Sequence, residues 1–274
     1  MRKAISLLAL ILVIILSLAG CNEFQPDSIT VLSREEGSGT RSAFETLADI
    51  DETTPYAEIS DSTAVMITTV MGNKNAIGYI SLGSMSDKVK TLKIGGTEVS
   101  SQNIKNGSYK LSRPFNIVTK NDISDTAKDF ITFIMSKQGQ KVVEDSKYIS
   151  TESHLTYTTK GVSGTVKIAG SSSVTPVMEK LKEAYVKFSP DVNIEIQQSD
   201  SSNAITGVLN GICDIGMVSR ELKNSETEKG LISTAIALDG IAVIVNRENS
   251  LSDLSLEQLK KIYTGETSLW REIE

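Results

Sequence analysis

Ile29-Thr30-Val31-Leu32-Ser33-Arg34-Glu35-Glu36-Gly37-Ser38-Gly39-Thr40-Arg41, with Ala43, Phe44 and Leu47 after it, is the stretch on which the fold turns. Its first four residues are apolar or β-branched and read as a buried strand. A polar, glycine-containing turn follows over 33–39, and Ala43, Phe44 and Leu47 then recur at helical spacing. Strand, loop and helix make one α/β unit. Units of this kind build mostly parallel sheets, whose ligand sites lie beyond the carboxyl ends of the strands.

The same rhythm repeats outward from this stretch. Ala76-Ile77-Gly78-Tyr79-Ile80 and Phe115-Asn116-Ile117-Val118 read as further buried strands. Between them, short apolar patches alternate with glycine and asparagine over 93–110, as in a hairpin-like excursion. The spacing of Ala127, Phe130, Ile131 and Ile134 predicts a helix that starts at Thr126 and continues past Gly139 toward Val143. Residues 150–164, rich in serine, threonine and glycine, read as a linker. Beyond it comes a strand over 166–169, a turn over 170–175, and a helix whose first turn suits Pro176. A strand over 192–196, a polar loop over 197–202 and a helix over 205–209 come next. Strands over 214–218 and 241–245 and an amphipathic helix over 254–263 complete the pattern.

The chain of 274 residues is long enough for two modest domains. A net charge of −6 and a single tryptophan argue against a nucleic-acid surface, which needs a basic face. That charge does not exclude a small anion, because local donors act directly while distant charge is screened over about 10 Å. At the start, Met1-Arg2-Lys3 precedes an uncharged apolar run from Ala4 to Leu18, the layout of a secretory signal over 1–20. Leu18-Ala19-Gly20-Cys21 resembles the lipobox of bacterial lipoproteins, which implies cleavage before Cys21, a lipid on its thiol, and a tether over 21–28. Cys213, the other cysteine, sits in an apolar run and reads as a small core residue; His154, the lone histidine, is given no role. One free thiol and one histidine build neither a disulfide framework nor a metal cluster, and no cofactor is implied.

Three loops share one design, an apolar strand, then small hydroxyl or glycine residues, then a helix: Gly37-Ser38-Gly39-Thr40, Ser171-Ser172-Ser173 and Ser199-Asp200-Ser201-Ser202. The first N–H groups of a helix lack intrahelical partners and carry partial positive charge, so they suit an anion. Serine and threonine also cap helices everywhere, and one such loop alone says little. Three of them beside Arg34, whose planar fork of donors matches a tetrahedral oxyanion, point to an anion site.

The run from Ser33 to Arg41, followed by Phe44, resembles the signature loop of the phosphate-binding proteins of phosphate ABC importers. Gly170-Ser171-Ser172-Ser173-Val174-Thr175-Pro176 resembles that family's amino-terminal loop. The segments 214–222, 237–243, 76–79 and 113–115 are similar to others of its stretches, so the likeness covers nearly everything after residue 28. The order of the segments departs from the family: its Gly170-type loop comes first and its Ser33-type loop midway, whereas this chain opens with the later half. Each element occurs once, which implies a circular permutation in which 150–164 joins the family's old ends.

The resemblance implies an α/β, two-lobed periplasmic-binding-protein-like fold with mixed, mostly parallel sheets and phosphate in the cleft. One lobe would combine 29–111 with 243–274, the other 112–242, with crossings near Ser112 and Ala242. Carried over by position, Arg34, Ser38, Gly39 and Thr40 would hold phosphate from one lobe, and Ser172, Ser173, Ser201 and Ser219 from the other. Some members carry at the Ser219 position an aspartate that accepts the ligand's proton; a serine accepts a hydrogen bond without a carboxylate's discrimination by charge. Glu36 is expected to orient Arg34, Asp214 to be structural, and Arg220 to be either a second cation near the site or a solvated surface charge. The implied protein is a monomer outside the cytoplasm, held to the membrane by lipid at Cys21 and partnered by permease subunits, and not an enzyme. Two rivals stand: the same fold tuned to sulfate or molybdate or acting as a sensor, and an enzyme on phosphorylated substrates. The second lacks both a Gly-x-x-x-x-Gly-Lys-Ser/Thr loop and a Ser-His-Asp set.

Overall fold

A computed structural model describes residues 27–153 and 155–273. The signal, the Cys21 lipid site, most of the tether and His154 lie outside the described residues. The chain forms two α/β lobes around separate cores. One core gathers Leu32, Phe44, Met66, Tyr79, Ile80 and Tyr109 with Ile241, Val243, Leu259 and Tyr263 from the far end of the sequence. The other gathers Phe115, Phe130, Phe133, Ile168, Leu181, Tyr185 and Met217, extended by Val118, Ile205 and Val208.

In the first lobe β1 (Thr30–Arg34) runs parallel to β2 (Glu58–Ser60) on one side and to β3 (Ala76–Ser81) on the other. Between them lie α1 (Gly39–Leu47) and α2 (Thr63–Gly72). Phe44 of α1 stacks on Tyr79 of β3 at 4.1 Å and meets the edge of Tyr263 at 4.7 Å, so aromatic packing seats α1 against the sheet. In the second lobe β8 (Gly164–Ser171) lies parallel to both β9 (Val192–Ser199) and β10 (Ile215–Val218). α6 (Thr175–Tyr185) follows β8 and α7 (Ser201–Leu209) follows β9. The carboxyl ends of β1, β2, β8, β9 and β10 carry Arg34, Ser60, Ser171, Ser199 and Val218, so the loops after them share one region.

Two strands connect the lobes. β6 (Ser112–Thr119) and the 14-residue β11 (Ile232–Val245) pair antiparallel from Ile232↔Thr119 to Gly240↔Ser112, β7 (Ile149–Ser150) pairs with Ala237 and Leu238, and β11 then continues alongside β3 and β4 (Lys90–Thr91). Register places Asp239 opposite Arg113, both fully buried, with Arg113 Nε and Nη2 donating to Asp239 Oδ2 at 3.1 and 3.0 Å. Asp239 Oδ1 accepts from Ser81 Oγ and the Leu82 amide, while Arg113 Nη1 donates to the Ser219 carbonyl at 3.0 Å. Burial pushes the Asp239 carboxyl up to about 6 against the pull of Arg113 and these hydrogen bonds.

Three local expectations change. Residues 93–110 form a hairpin only at their start, where Ile94 and Thr97 exchange both backbone hydrogen bonds. Gly95 and Gly96 turn the chain with φ of 57° and 76°, β5 (Lys93–Ile94) pairs in parallel with β12 (Asp253–Leu254), and a short helix, α3 (Ser101–Lys105), follows. Val99 and Ile104 thereby enter the first core. The helix from Thr126 is two helices, α4 (Asp125–Ile134) and α5 (Lys137–Asp145), because Ser136 caps the second by accepting from the Gly139 amide at 3.2 Å. A side chain at Gly139 would collide with the Phe133 carbonyl at 2.2 Å, so the residue permits this tight break. β11 begins nine residues earlier than its apolar run, since its first half is a half-exposed strand held by pairing with β6.

The described residues within 151–163 lie in no helix or strand, yet they are not slack. Tyr157 is buried, and its hydroxyl donates to Asp129 Oδ2 at 2.6 Å and meets Ser189 Oγ at 3.1 Å. Its amide donates to Gln138 Oε1 at 2.9 Å. The ends of the described chain also lie together: the Ile29 amide donates to the Ser268 carbonyl and the Trp270 amide to Asp27 O.

Candidate anion-binding site

β1 delivers Arg34 into the region between the lobes. Its backbone amide donates to the Tyr79 hydroxyl at 3.0 Å, and Ser33 Oγ meets the same hydroxyl at 2.9 Å. Burial pushes Tyr79 up to about 12, so the hydroxyl stays neutral and able both to give and to accept a hydrogen bond. Arg34 is 2% exposed. Its Nε and Nη2 form a fork with Glu35, each at 2.7 Å, and the carbonyls of Ser60 and Asp61 accept from it at 3.1 and 3.4 Å. The carboxylate that orients Arg34 is therefore Glu35, and Glu36 is exposed. Side chains alternate along an extended segment, and it is the residue adjacent to Arg34 that curls back onto its guanidinium.

From this anchor Arg34 Nη2 reaches across the cleft and donates to Ser172 Oγ at 3.1 Å. Thr40 Oγ1 and Ser173 Oγ meet at 2.8 Å beside it. Ser38 caps α1, its hydroxyl accepting the Arg41 amide, which leaves the N–H groups of Gly39 and Thr40 at positions without an intrahelical acceptor. Gly39 is buried against the opposite lobe; a Cβ there would lie 2.2 Å from Ser201 Oγ and 2.8 Å from Ser219 Oγ. On the second lobe Ser171 Oγ donates to Ser219 Oγ at 2.9 Å, and the Ser219 amide donates to Ser201 Oγ at 3.1 Å. All eight residues expected from the sequence, Arg34, Ser38, Gly39, Thr40, Ser172, Ser173, Ser201 and Ser219, are buried in this one cluster.

The donors within the cluster differ from a simple convergence of three helix starts. The Ser202 and Asn203 amides at the start of α7 are taken by Asp200 Oδ1 at 2.8 and 2.9 Å, and Ser202 N also donates to the Gly37 carbonyl. The Ser172 and Ser173 amides donate to Ser199 O and Ser171 Oγ. The second lobe therefore offers chiefly hydroxyls, while α1 offers amides. A further residue, unforeseen in the sequence, joins them: Thr63, the first residue of α2, lies 3.4 Å from both Ser172 Oγ and Ser173 Oγ. The polar run Ser60-Asp61-Ser62-Thr63 ahead of an apolar stretch was the signal for it.

Arg220 is neither a surface charge nor aimed at the cluster. It is 5% exposed and forked onto Glu226 at 2.8 Å through both terminal nitrogens. Asp214 accepts the Lys167 amide at the edge of β8, a structural contact, and Cys213 is buried as a small core residue. Among the described residues, no group of three or more His, Cys, Asp or Glu side chains is placed to hold a metal, and no helix is long and apolar enough to cross a membrane. The arrangement is one guanidinium, several hydroxyls and helix-start amides around a point between two lobes, with Glu35 engaged by Arg34. Chemically it suits a compact oxyanion.

A profile described as the PBP superfamily domain matches residues 22–138 and 155–272. The chain is similar to phosphate-binding protein PstS 2 of Streptococcus agalactiae serotype V, with 52% identity over 271 residues covering 93% of this chain and 92% of the relative. Among solved structures it is similar to a phosphate ABC transporter, phosphate-binding protein from Streptococcus pneumoniae TIGR4, with a TM-score of 0.73 and 46% identity, over 90% of this chain and 100% of the other. The phosphate-binding protein PstS of Bacillus subtilis is 33% identical over 113 residues, which is 40% of this chain and 38% of the relative.

Proposed function

Because the chain belongs to the PBP superfamily, among the phosphate-binding proteins of the PstS family, we propose that it binds inorganic phosphate outside the cytoplasm and delivers it to the permease subunits of an ABC importer. The observation that carries this reading is the pair of contacts across the cleft, Arg34 to Ser172 at 3.1 Å and Thr40 to Ser173 at 2.8 Å. Hydroxyls and a guanidinium that bond each other across a cleft are the groups a tetrahedral anion would bridge. A phosphate entering there takes over those bonds, with Arg34, Ser38, Gly39, Thr40, Ser172, Ser173, Ser201 and Ser219 as its donors. Charge-assisted bonds are roughly twice as strong as the neutral ones they replace, so ligand favours the closed arrangement, which the permease then recognises. No bond of the ligand is made or broken, and the protein works as a binding subunit, not an enzyme. It acts as a monomer held to the membrane by lipid on Cys21.

The lobes in this reading are 29–111 with 243–274, and 112–242. The segment order is a circular permutation of the family's. Two observations support it. The backbones at 27–29 and 268–270 hydrogen-bond to one another, as the two sides of a cut surface loop would. The Bacillus relative aligns over two fifths of the chain, and a collinear alignment can run through only one part of a permuted pair, whereas the Streptococcus agalactiae relative aligns over 93%.

Ser219, where the resemblance implies a carboxylate in some members, favours a weaker rejection of sulfate. Calorimetric titration of the mature chain with phosphate, sulfate and molybdate, with a chromogenic phosphate ester as a control for turnover, tests the proposal. Phosphate should bind one to one and displace the others, and the ester should survive. Tighter binding of sulfate or molybdate, or hydrolysis of the ester, would replace this reading with one of its rivals.

A further inference from the structure

We infer that Thr63 is a ligand-binding residue of the same site, contributing its hydroxyl and the amino end of α2 to the oxyanion; the inference rests on the phosphate reading above. Thr63 is 8% exposed and opens a ten-residue helix, Thr63–Gly72, whose cap is Ser62. Ser62 Oγ accepts the Val65 amide, and the Met66 amide bonds the Ser62 carbonyl. The amides of Thr63 and Ala64, at the first two helical positions, have no intrahelical acceptor and carry the positive end of the helix dipole.

The side chain points to the same place. Thr63 Oγ1 lies 3.4 Å from Ser172 Oγ and 3.4 Å from Ser173 Oγ, the two second-lobe hydroxyls that also meet Arg34 and Thr40. Good hydroxyl–hydroxyl bonds are about 2.7–2.8 Å long, so these contacts are stretched. A small anion accepting from the three hydroxyls would replace these stretched contacts with charge-assisted bonds of normal length. The segment just before Thr63 also positions the arginine, since Arg34 Nε and Nη2 donate to the carbonyls of Ser60 and Asp61. One turn thus holds the cation with its carbonyls and carries the Thr63 hydroxyl beside Ser172 and Ser173. A β-branched threonine, with few side-chain rotamers, keeps that hydroxyl aimed.

Thr63→Val removes the hydroxyl and keeps the shape, and Thr63→Ser keeps the hydroxyl. The test is phosphate affinity by calorimetry on the mature full chain, together with the thermal midpoint of each variant without phosphate. A hydrogen bond to a charged group predicts that Thr63→Val weakens phosphate binding by about tenfold or more, that Thr63→Ser stays within about threefold of wild type, and that the ligand-free midpoints barely move. A Thr63→Val protein that binds phosphate within twofold of wild type overturns the inference while leaving the phosphate reading intact. Equal weakening by valine and serine, or a large fall in the ligand-free midpoint, also overturns it, because the residue would then act through packing. A wild-type chain that ignores phosphate overturns the phosphate reading itself.

Discussion

Replacing Gly39 with alanine adds one methyl group at the place where the lobes touch, and the geometry sets the consequence. The new Cβ would lie 2.2 Å from Ser201 Oγ, 2.8 Å from Ser219 Oγ and 3.0 Å from Ser201 Cβ. Ordinary contact begins at about 3.5 Å, so either the lobes part by roughly 1 Å or the Ser201 hydroxyl swings away. Swinging away abandons the Ser219 amide, which donates to Ser201 Oγ at 3.1 Å and is buried. An unsatisfied buried donor costs about 1–3 kcal/mol, and a parted cleft loses contacts of similar worth, so phosphate affinity should fall by about 5- to 150-fold. In the phosphate reading the lobes part without ligand, and that open form feels none of this. Gly39 is the first residue of α1 and its φ is not positive, so alanine there should add up to about 1 kcal/mol of stability by restricting the unfolded chain. Calorimetry for affinity and thermal melting without ligand read the two effects separately, and they should have opposite signs. Unchanged affinity, or a fall in the ligand-free melting point, would refute the claim that Gly39 serves cleft closure.

Arg34→Lys removes the fork onto Glu35 and the reach to Ser172 while keeping the charge, and should weaken phosphate binding by at least about 2 kcal/mol in a titration. Glu226 is the pH-sensitive group to watch: burial opposes its ionisation, but hydrogen bonds from Arg220 and the Lys223 amide win and hold its carboxyl below the usual range. A folded pKa below the unfolded one gives stability that is present above about 4.5 and lost as pH falls, so Glu226→Gln should flatten the acid side of the stability profile measured by urea unfolding. Tyr157→Phe deletes the hydroxyl that pins the 150–164 segment to Asp129 and Ser189; it should cost about 1–3 kcal/mol and speed proteolytic nicking within 158–163, which gel analysis would follow.

What was legible in the sequence was local. The strand, polar loop and helix from Ile29 to Leu47 announce themselves by period and composition, and the Arg34 and Ser171 loops carry their chemistry in consecutive residues. Thr63 escaped because the helix it opens, Thr63–Gly72, is full of β-branched threonine, valine and isoleucine, a composition that favours strands; tertiary packing of Met66 and Val70 overrides it. The choice between Glu35 and Glu36 could not be read from spacing, because it depends on which way each side chain leaves the turn. Arg113 and Asp239 are 126 positions apart and meet only through the register of β6 with β11. The amides lost to Asp200 and Ser199 were invisible for the same reason: a helix start looks open in sequence until the groups that cap it are placed beside it.

Arsenate, a tetrahedral anion with an anomalous X-ray signal, offers the most direct check on where the ligand sits. In crystals of the mature chain soaked with arsenate, the arsenic peak should fall between Arg34 and Thr40 on one side and Ser172 and Ser173 on the other. A peak bound elsewhere, or an empty cluster in crystals whose protein binds arsenate in solution, would contradict the account.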